Sequence, residues 1–268
     1  MTDIQAAATM LRDCRHGRML FLRGDRYIGR SLKLYGEFSE IEGQLFSRLI
    51  RPGQAVIEAG ANIGAHTIHL ARLVGPNGMV LAYEPQRVIF QLLCHNLAMN
   101  RLRNVQARLA AVGRRAGSRK VPALDYSAEN NFGGASLQNG AGGERVQVIP
   151  LDSVRLSSLR LLKIDVEGME VEVLSGARRL IARHRPLLYV ENDRQENSRR
   201  LMGLIEKFGY DMWWHLPPLF NSNNYFKKRK NVFGRTASIN LLCVPKEAPE
   251  MVVKGLRKVN SVISSAQA

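Results

Sequence analysis

Acidic side chains follow apolar runs at several points in the sequence, and the first of them is Glu58. It ends the run Ala55–Glu58 and is followed by a turn of small residues in which Gly60 and Gly64 flank Asn62. Such turns are typical of nucleoside-cofactor sites, where the backbone approaches the ligand at the start of the next helix. A carboxylate here would repel a pyrophosphate but attract the cationic amino acid group of S-adenosyl-L-methionine. The turn therefore favours a methyl donor over a dinucleotide.

A second carboxylate stands at the end of the next apolar run. Glu84 follows the run Met79–Tyr83 and is itself followed by Pro85. An acidic residue at about this distance beyond the glycines suits the two hydroxyls of a ribose. Glu58 and Glu84 together predict one nucleoside-cofactor site.

A third acidic turn follows the apolar run Leu161–Ile164. Asp165 comes directly after this run, and Glu167 lies two residues further along. At the carboxyl end of a strand in an open α/β sheet, Asp165 would lie close to the transferable group of a bound cofactor. Glu167 precedes a helical pattern, so the helix dipole gives a second reason for a carboxylate there.

Short apolar runs recur between helical patterns along the chain, which predicts a doubly wound α/β fold with a parallel sheet. The strand-like runs are Ala55–Glu58, Met79–Tyr83, Val105–Ala110, Leu161–Ile164 and Leu187–Val190. Because ligands bind at the carboxyl ends of such strands, we expect the acidic turns to meet at one edge of the sheet. Residues 113–145, rich in Gly and Asn, predict a long loop or irregular hairpin.

The chain divides into three predicted parts. Residues 1–50 form an N-terminal extension, with a hairpin around Phe21–Ile28 and a helix near Ser39–Ile50. Residues 51–247 form the cofactor-binding domain, and residues 248–268 form a basic tail.

The chain is strongly basic, with 39 Lys and Arg residues against 23 Asp and Glu residues and a formal net charge of +16. A run of four cations, Lys227–Lys230, lies beside Tyr225 and Phe226. This combination is compatible with nucleic acid, an anionic glycan or an acidic membrane surface as a partner. A charge run is also typical of a solvated loop, so these interpretations stay open.

The cysteines and the apolar runs indicate the setting of the protein. Cys14, Cys94 and Cys243 are isolated and lack C-x-x-C spacing, which is typical of packing residues in a reducing compartment. No run approaches the ~18 apolar residues of a membrane helix, and charges interrupt the first residues. We expect a cytoplasmic protein without disulfides, structural zinc or a transmembrane segment.

The combined motifs resemble the FkbM-type methyltransferases, a branch of the class I S-adenosylmethionine-dependent methyltransferases. The resemblance covers about residues 36–245 and rests on the Pro-Gly pair before the first strand and on four further segments: Val56–Gly64, Tyr83–Pro85, Leu151–Ser153 and Leu162–Gly168. It implies a Rossmann-like sheet of seven strands whose last strand, near Ile239–Val244, is reversed. It also implies O-methylation of a hydroxyl on a sugar, a glycan or a natural-product small molecule.

The resemblance also implies which residues bind S-adenosyl-L-methionine. Those around its methionine part would be Glu58, Gly60, Asn62 and Gly64. Glu84 would bind the ribose hydroxyls, and the adenine would meet the segment near Ala111 and Val112.

The catalytic end, by the same resemblance, lies at Asp165 and Glu167. The methyl group is already activated by the sulfonium, so the protein must mainly align the acceptor and remove the proton of its hydroxyl. A carboxylate can act as the base only if it reaches that proton. Asp165 is the first candidate for the base or for an acceptor orienter, and Glu167 is the second.

A metal-assisted version is an alternative. Asp165 and the residues that follow the next strand, Glu191, Asn192 and Asp193, could offer oxygen ligands to Mg²⁺, which would lower the pKa of an acceptor hydroxyl. Acidic strand ends are common, however, and no spacing is diagnostic for magnesium. Four histidines lie in no recognisable catalytic arrangement and are expected to be packing or surface residues: His66, His69, His184 and His215.

The acceptor is the least determined part of the sequence. The segment Trp213–Phe226 combines aromatic rings, amides and prolines, and it predicts a loop that stacks on a sugar or ring, or one that simply packs on the core. We expect a small-molecule or glycan acceptor and no dedicated nucleic-acid module. The alternatives are an RNA methyltransferase, which the basic run favours, and a non-catalytic cofactor-binding protein.

Overall fold

The computed structural model describes residues 9–137, 143–248, 253 and 255–259. Its N-terminal part is a hairpin followed by two helices: β1 (Thr9–Cys14), β2 (Gly17–Leu22), α1 (Ile28–Tyr35) and α2 (Glu40–Leu49). The helix expected near Ser39–Ile50 is α2, which ends just before Pro52. The N-terminal part packs on the rest of the chain and shares one hydrophobic core with it.

The hairpin lies earlier in the chain than the sequence indicates. β1 and β2 pair in antiparallel register around a tight turn, and a helix already begins at Ile28. The Asp25 carboxylate accepts hydrogen bonds from the backbone N–H groups of Tyr27 and Ile28, at 2.9 and 3.1 Å. Because these bonds satisfy donors at the helix start, they favour α1 over a second strand, and the hairpin predicted around Phe21–Ile28 is wrong.

The rest of the chain alternates strands and helices around a main sheet and a small one. In chain order the elements are β3 (Ala55–Ala59), α3 (Ala65–Val74), β4 (Met79–Glu84), α4 (Arg87–Met99), β5 (Val105–Leu109), β6 (Ala111–Val112), β7 (Gly117–Lys120), β8 (Arg145–Ile149), β9 (Leu161–Ile164), α5 (Glu170–Ser175), α6 (Arg178–His184), β10 (Leu187–Glu191), α7 (Gln195–Lys207), β11 (Tyr210–His215), β12 (Asn240–Pro245) and β13 (Arg257–Lys258). The small sheet consists of β6, β8 and β7, so residues 113–145 contain an irregular hairpin; residues 138–142 lie outside the described part.

The main sheet has the strand order β13-β11-β12-β10-β9-β3-β4-β5. The five strands β10, β9, β3, β4 and β5 run parallel, and β12 runs antiparallel between β10 and β11. The predicted doubly wound α/β fold with a reversed strand near Ile239–Val244 is confirmed. Among the described residues, this sheet has eight strands rather than seven because the two residues of β13 pair with Trp213 and Trp214 at the sheet edge.

Trp213 and Trp214 lie in β11 rather than in the loop that the sequence predicts. Each ring is half-buried and packs against a different hydrophobic core, one on each face of the sheet. The loop between β11 and β12 starts only at Leu216 and ends at Ile239. The two tryptophans therefore serve the core, and the sequence places the start of the loop too early.

The strands are apolar on both faces because each face is covered. Val56, Leu161 and Leu242 belong to the core shared with α3, α4 and the N-terminal part. Ile57 and Leu162, which alternate with them, belong to the core beneath α5, α6 and α7. Among the helices of the described residues, none combines the length and apolarity that crossing a membrane requires.

Gly60 provides a test of how tightly the strand ends pack. Its φ is +85°, and a Cβ there would lie 1.7 Å from the carbonyl oxygen of Asp165. Gly53 has a similar φ of +83° but no heavy atom within 4 Å of such a Cβ. Urea unfolding should show a loss of about 1–2 kcal/mol for Gly53→Ala, from backbone strain alone. Gly60→Ala should lose more than about 3 kcal/mol because the backbone must also move; equal losses would contradict the close approach.

Candidate functional site

Two rows of polar side chains cross the main sheet on the face covered by α2 and α3. In the first row, Glu58 of β3 lies opposite Lys163 of β9, and Lys163 lies opposite Tyr189 of β10. The second row begins two residues further along, with Asp165 after β9 and Glu191 at the end of β10. Because side chains at i and i+2 point to the same face of a strand, both rows face the same side.

The second row continues onto the antiparallel strands. Asn240 of β12 lies directly opposite Glu191, and His215 of β11 lies directly opposite Asn240. The parallel strands end where β12 begins, so residues from three chain segments meet at one edge of the sheet. This is the edge at which ligands bind in open α/β sheets.

Lys163 is the cation at the centre of these rows. It is 2% exposed, and its Nζ donates a 3.1 Å hydrogen bond to Asp165 Oδ2 and lies 3.8 Å from Glu58 Oε1. Burial lowers the pKa of the ammonium, but Asp165, Glu58 and Glu42 together raise it above its ordinary value. Lys163 is therefore charged, and it neutralises carboxylates that could not otherwise be buried side by side.

Glu58 is held on the other side by a hydroxyl. Thr67 Oγ1, from α3, donates a 2.6 Å hydrogen bond to Glu58 Oε2. Burial raises the pKa of this carboxyl to about 7, although Lys163 and Thr67 act in the opposite direction. Glu58, which the sequence predicts to face a cofactor, is thus also part of the buried network around Lys163.

Glu84 is fixed by two backbone groups. Asn62 N–H donates to Oε2 at 2.9 Å, and Gln86 N–H donates to Oε1 at 2.8 Å. The residue is 3% exposed, and burial raises the pKa of its carboxyl to about 7 against the effect of the two hydrogen bonds. Each carboxylate oxygen keeps a further lone pair that can accept from a ligand.

The small-residue turn is tied to β4. The N–H groups of Gly60 and Ala61 both donate to the carbonyl oxygen of Tyr83. Asn62 and Gly64 have φ values of 50° and 88°, in the left-handed region that glycine and asparagine tolerate best. Gly64 is the residue before α3, so the turn leads directly into the helix.

A cavity of ≈ 540 Å³ lies at this edge of the sheet. The structure brings most of the predicted site residues to its wall: Glu58, Gly60, Asn62, Glu84, Asp165 and Glu167. Gly64 is not part of the wall. Ala111 and Val112 line a narrow second cavity, which shares Gly60 and Glu84 with the first.

Glu167 faces the cavity from a strained turn. Its φ is 54°, and its Oε2 accepts a 2.8 Å hydrogen bond from Arg194 Nη2. Burial and the nearby Asp165 raise the pKa of this carboxyl to about 7, and Arg194 opposes the shift. Asp165 is more open, with 40% of its side chain exposed.

The carboxylates do not form a good magnesium site. Asp165, Glu167 and Glu191 can each offer one oxygen, and these oxygens lie within 4.8 Å of one another. Two of the three carboxylates already have cationic partners, Lys163 and Arg194. Because Mg²⁺ would have to compete with both ion pairs, the arrangement does not fit the ion.

The N-terminal part supplies cavity residues that the sequence analysis missed. Tyr27, Phe38 and Glu42 also line the cavity. Glu42 is buried, accepts a 2.7 Å hydrogen bond from Ser39 Oγ and lies 3.6 Å from His66 Nε2. In the sequence, Glu42 is recognisable only as a carboxylate within an amphipathic helical pattern. No neighbouring motif connects it with the strand ends.

The expected packing role of the histidines holds for most of them, but His66 also lines the cavity. Burial and the charge of Lys163 hold its pKa well below 6.5, so the imidazole is neutral. His69 stacks on the ring of His16, and His215 Nδ1 makes a 2.8 Å hydrogen bond with Tyr189 Oη. His184 lies at the end of α6, away from the site.

The fold and the site together define the class of protein. A parallel sheet with a reversed strand inserted next to the last, and acidic turns at the carboxyl edge, is the Rossmann-like architecture of the class I methyltransferases. The model of the methyltransferase FkbM domain matches residues 58–212, more than half of the chain. The chain belongs to this family.

Two curated relatives are fungal methyltransferases. "Methyltransferase 1" of Beauveria bassiana is 29% identical, over 45% of this chain and 57% of that protein. "Methyltransferase sdnD" of Sordaria araneosa is 30% identical, over 45% of this chain and 59% of that protein. The chain therefore matches less than two thirds of the length of either relative.

A solved structure of the same family is also similar. It is the methyltransferase FkbM of Methylobacillus flagellatus KT, with 17% identity and a TM-score of 0.47. The alignment covers 75% of this chain and 50% of that one.

Replacing Lys163 tests its place in the network. Lys163→Met leaves the buried carboxylates Glu58 and Glu42 without their cation, and we expect a loss of about 3–5 kcal/mol in unfolding free energy. Lys258→Met is the control, because Lys258 pairs with Asp211 on the surface and should cost less than about 1 kcal/mol. If chemical denaturation gives losses of similar size for Lys163→Met and Lys258→Met, then Lys163 contributes no more to stability than a surface ion pair does.

The raised pKa of Glu84 predicts a pH dependence of stability. The carboxyl titrates near pH 7 when folded and near 4.5 when unfolded, so the folded state binds more protons between these values. The free energy of unfolding must therefore fall as the pH rises through this interval. In Glu84→Gln, unfolding without cofactor should show a decline from pH 5 to 7.5 that is smaller by on the order of 2 kcal/mol. An unchanged slope would contradict the shift.

Proposed function

We propose that this protein transfers a methyl group from S-adenosyl-L-methionine to a hydroxyl of a sugar, a glycan or a natural-product small molecule. The observation that carries the proposal is the position of Glu84. Its carboxylate is buried at the cavity wall, and two backbone N–H groups orient it with lone pairs free for a ribose diol. Membership of the FkbM family supports the same ligand.

The cavity suits a nucleoside cofactor in size and in charge. Its volume lies within the range of about 300–1,000 Å³ that is typical of small-molecule sites. Carboxylates dominate its wall although the chain as a whole is basic, so a cationic ligand is favoured there. We assign Glu58, Gly60, Asn62 and Gly64 to the methionine end.

The adenine end of the proposed site is the narrow cavity. Its walls are apolar where Ala111, Val112 and Met169 meet, and Glu84 stands at the junction with the larger cavity. The slot measures ≈ 40 Å³ and adjoins a buried carboxylate, so a base joined to a ribose at Glu84 would have to widen it on entering. We therefore keep Ala111 and Val112 as proposed adenine contacts.

The cofactor supplies an electrophilic methyl carbon, and the protein has to position the acceptor. Asp165 is exposed to the cavity but fixed by its hydrogen bond to Lys163, and Glu167 is fixed by Arg194. Carboxylates held in this way can accept hydrogen bonds from acceptor hydroxyls and restrict their orientation. We propose this orienting role for both residues.

The N-terminal residues 9–50 complete the acceptor side. Tyr27 and Phe38 line the same cavity as Asp165, and the loop between β11 and β12 adds Leu219 and Ser238. Glu37 holds these segments together, because its carboxylate accepts hydrogen bonds from Arg15, Asn221 and the backbone of Tyr225. We propose that the cofactor-binding domain, residues 51–247, requires this extension for acceptor binding.

An RNA acceptor is the second candidate, and one surface favours it. The loop carries the exposed cations Lys227–Lys230 and the exposed ring of Tyr225, and no acidic residue occurs between Asp211 and Glu247. Tyr35 Oη fixes the loop by donating to the carbonyl oxygen of Lys230 and accepting from the N–H of Val232. Such a surface suits phosphates.

The two acceptor classes can be separated by one experiment. The protein is incubated with radiolabelled S-adenosyl-L-methionine and a lysate divided into small-molecule, glycan, protein and RNA fractions. Label in the small-molecule or glycan fraction, carried on oxygen, supports the proposal. Label in RNA, together with RNA affinity that falls steeply between 50 and 200 mM salt, would favour the second candidate. Cofactor binding without transfer to any fraction would indicate a non-catalytic protein.

Glu84→Ala tests the ribose assignment. Loss of a charged hydrogen-bond acceptor should raise the dissociation constant for S-adenosyl-L-methionine by about 10- to 100-fold in calorimetry. Glu144→Ala, which removes an exposed carboxylate paired with Arg87, should leave the constant unchanged. An unchanged affinity in Glu84→Ala would refute the ribose assignment.

A further inference from the structure

Buried polar atoms without partners are concentrated at one place in the described part of the chain. The side-chain atoms buried without a hydrogen bond are Glu191 Oε2, Asn192 Oδ1, Arg194 Nε and Asn240 Nδ2. All of them lie at the adjoining ends of β10 and β12. Since folded proteins pair nearly all buried polar atoms, such a concentration calls for an explanation.

Two of these atoms belong to residues that are paired across the β10–β12 ladder. Glu191 and Asn240 are directly opposite in antiparallel register, so their side chains share one face with Cβ atoms about 4.5–5.5 Å apart. Both residues line the large cavity. Asn240 is 4% exposed. Its amide lies near enough to the Tyr189 phenol to lower the pKa of that group, but Nδ2 makes no hydrogen bond of normal geometry.

The unpaired atoms are complementary in kind. Glu191 Oε2 is an acceptor and Asn240 Nδ2 is a donor, so one group that both donates and accepts can satisfy the two. A hydroxyl does this. An ammonium only donates and would leave Asn240 unpaired, while a phosphate or carboxylate only accepts and would meet Glu191 as a like charge.

We propose that Glu191 and Asn240 form the subsite for the acceptor hydroxyl, in which the O–H donates to Glu191 Oε2 and the oxygen accepts from Asn240 Nδ2. This inference rests on the proposed function and adds to it the residues that touch the reacting oxygen. Glu191 is then the residue that receives the hydroxyl proton, and Asn240 holds the oxygen in place.

Methyl transfer moves one methyl group and one proton and leaves the total charge unchanged. The acceptor oxygen forms a bond to the methyl carbon as the carbon–sulfur bond breaks. The electron pair of the carbon–sulfur bond stays on the sulfur, and S-adenosylhomocysteine leaves. The hydroxyl proton passes to the Glu191 carboxylate. A sulfonium cation and a carboxylate anion become two neutral groups, which a site with little water favours.

Glu191 suits this role better than the other cavity carboxylates. Asp165 is paired with Lys163 and Glu167 is paired with Arg194, whereas no ion pair is formed by Glu191 within the described residues. Burial, reinforced by Asp165 and Glu167, raises the pKa of the Glu191 carboxyl well above its ordinary value. A raised pKa makes the ionised carboxylate a stronger base, and the cationic sulfonium of the methyl donor beside it favours that ionised form.

The test separates binding of the donor from transfer to the acceptor. Glu191→Gln keeps the size of the side chain but cannot take the proton. With the lysate fraction that wild-type protein methylates as the probe, it should lower methyl transfer by at least about 100-fold. Its dissociation constant for S-adenosyl-L-methionine should stay within about threefold of wild type, which also shows that the variant is folded. Glu191→Asp, which retains a carboxylate, should recover part of the activity.

Two further variants complete the design. Asn240→Ala should raise KM for the acceptor and lower transfer by about 10-fold or more, since a hydrogen bond to the reacting oxygen is lost. Glu206→Gln makes the same chemical change as Glu191→Gln at an exposed position of α7 that does not line the cavity, and its transfer should equal that of wild type.

The outcomes distinguish the inference from the proposed function. Wild-type transfer in Glu191→Gln, or a product methylated on nitrogen by wild-type protein, would overturn the hydroxyl subsite while leaving methyl transfer intact. No transfer by wild-type protein to any fraction would contradict the proposed function and this inference together.

Discussion

The buried charge of Lys163 is the interaction on which the site depends. Its ammonium lies between Glu58 and Asp165, the residues at the ends of neighbouring strands, and it offsets the charge of Glu42 from the N-terminal part. Without a cation at this position, three carboxylates would lie close together in a medium that opposes burial of charge. One side chain therefore joins the end of β3, the turn after β9 and α2 at the wall of the cavity.

The cavity wall and the outer surface differ in charge, and each therefore favours a different ligand. The chain carries a formal net charge of +16, yet its cavity wall is dominated by carboxylates and its cations are mostly displayed outside, as in Lys227–Lys230. A cationic methyl donor is favoured inside, and an anionic partner would be favoured at the rim. Within the cavity, Asp165 and Glu167 are paired with cations, whereas Glu191 Oε2 has no hydrogen-bond partner.

Local sequence patterns predicted the parts of the site that arise from strand ends and turns. The apolar runs mark β3, β4, β9 and β10, and the carboxylates that follow them reach one edge because parallel strands end together. The left-handed turn at Asn62 is likewise a property of a few neighbouring residues. Asn240 and Glu42 could not be found in this way, because their roles depend on register and packing between segments distant in the chain. The hairpin was misplaced for a local reason, the bonds that Asp25 makes to the start of α1.

The most direct test of the account is a crystal structure of the protein with S-adenosylhomocysteine. The account predicts ribose hydroxyls within hydrogen-bond distance of the Glu84 carboxylate, the adenine beside Ala111 and Val112, and the sulfur directed toward Glu191 and Asn240. A nucleoside bound away from Glu84, or a sulfur that points away from the ends of β10 and β12, would contradict it.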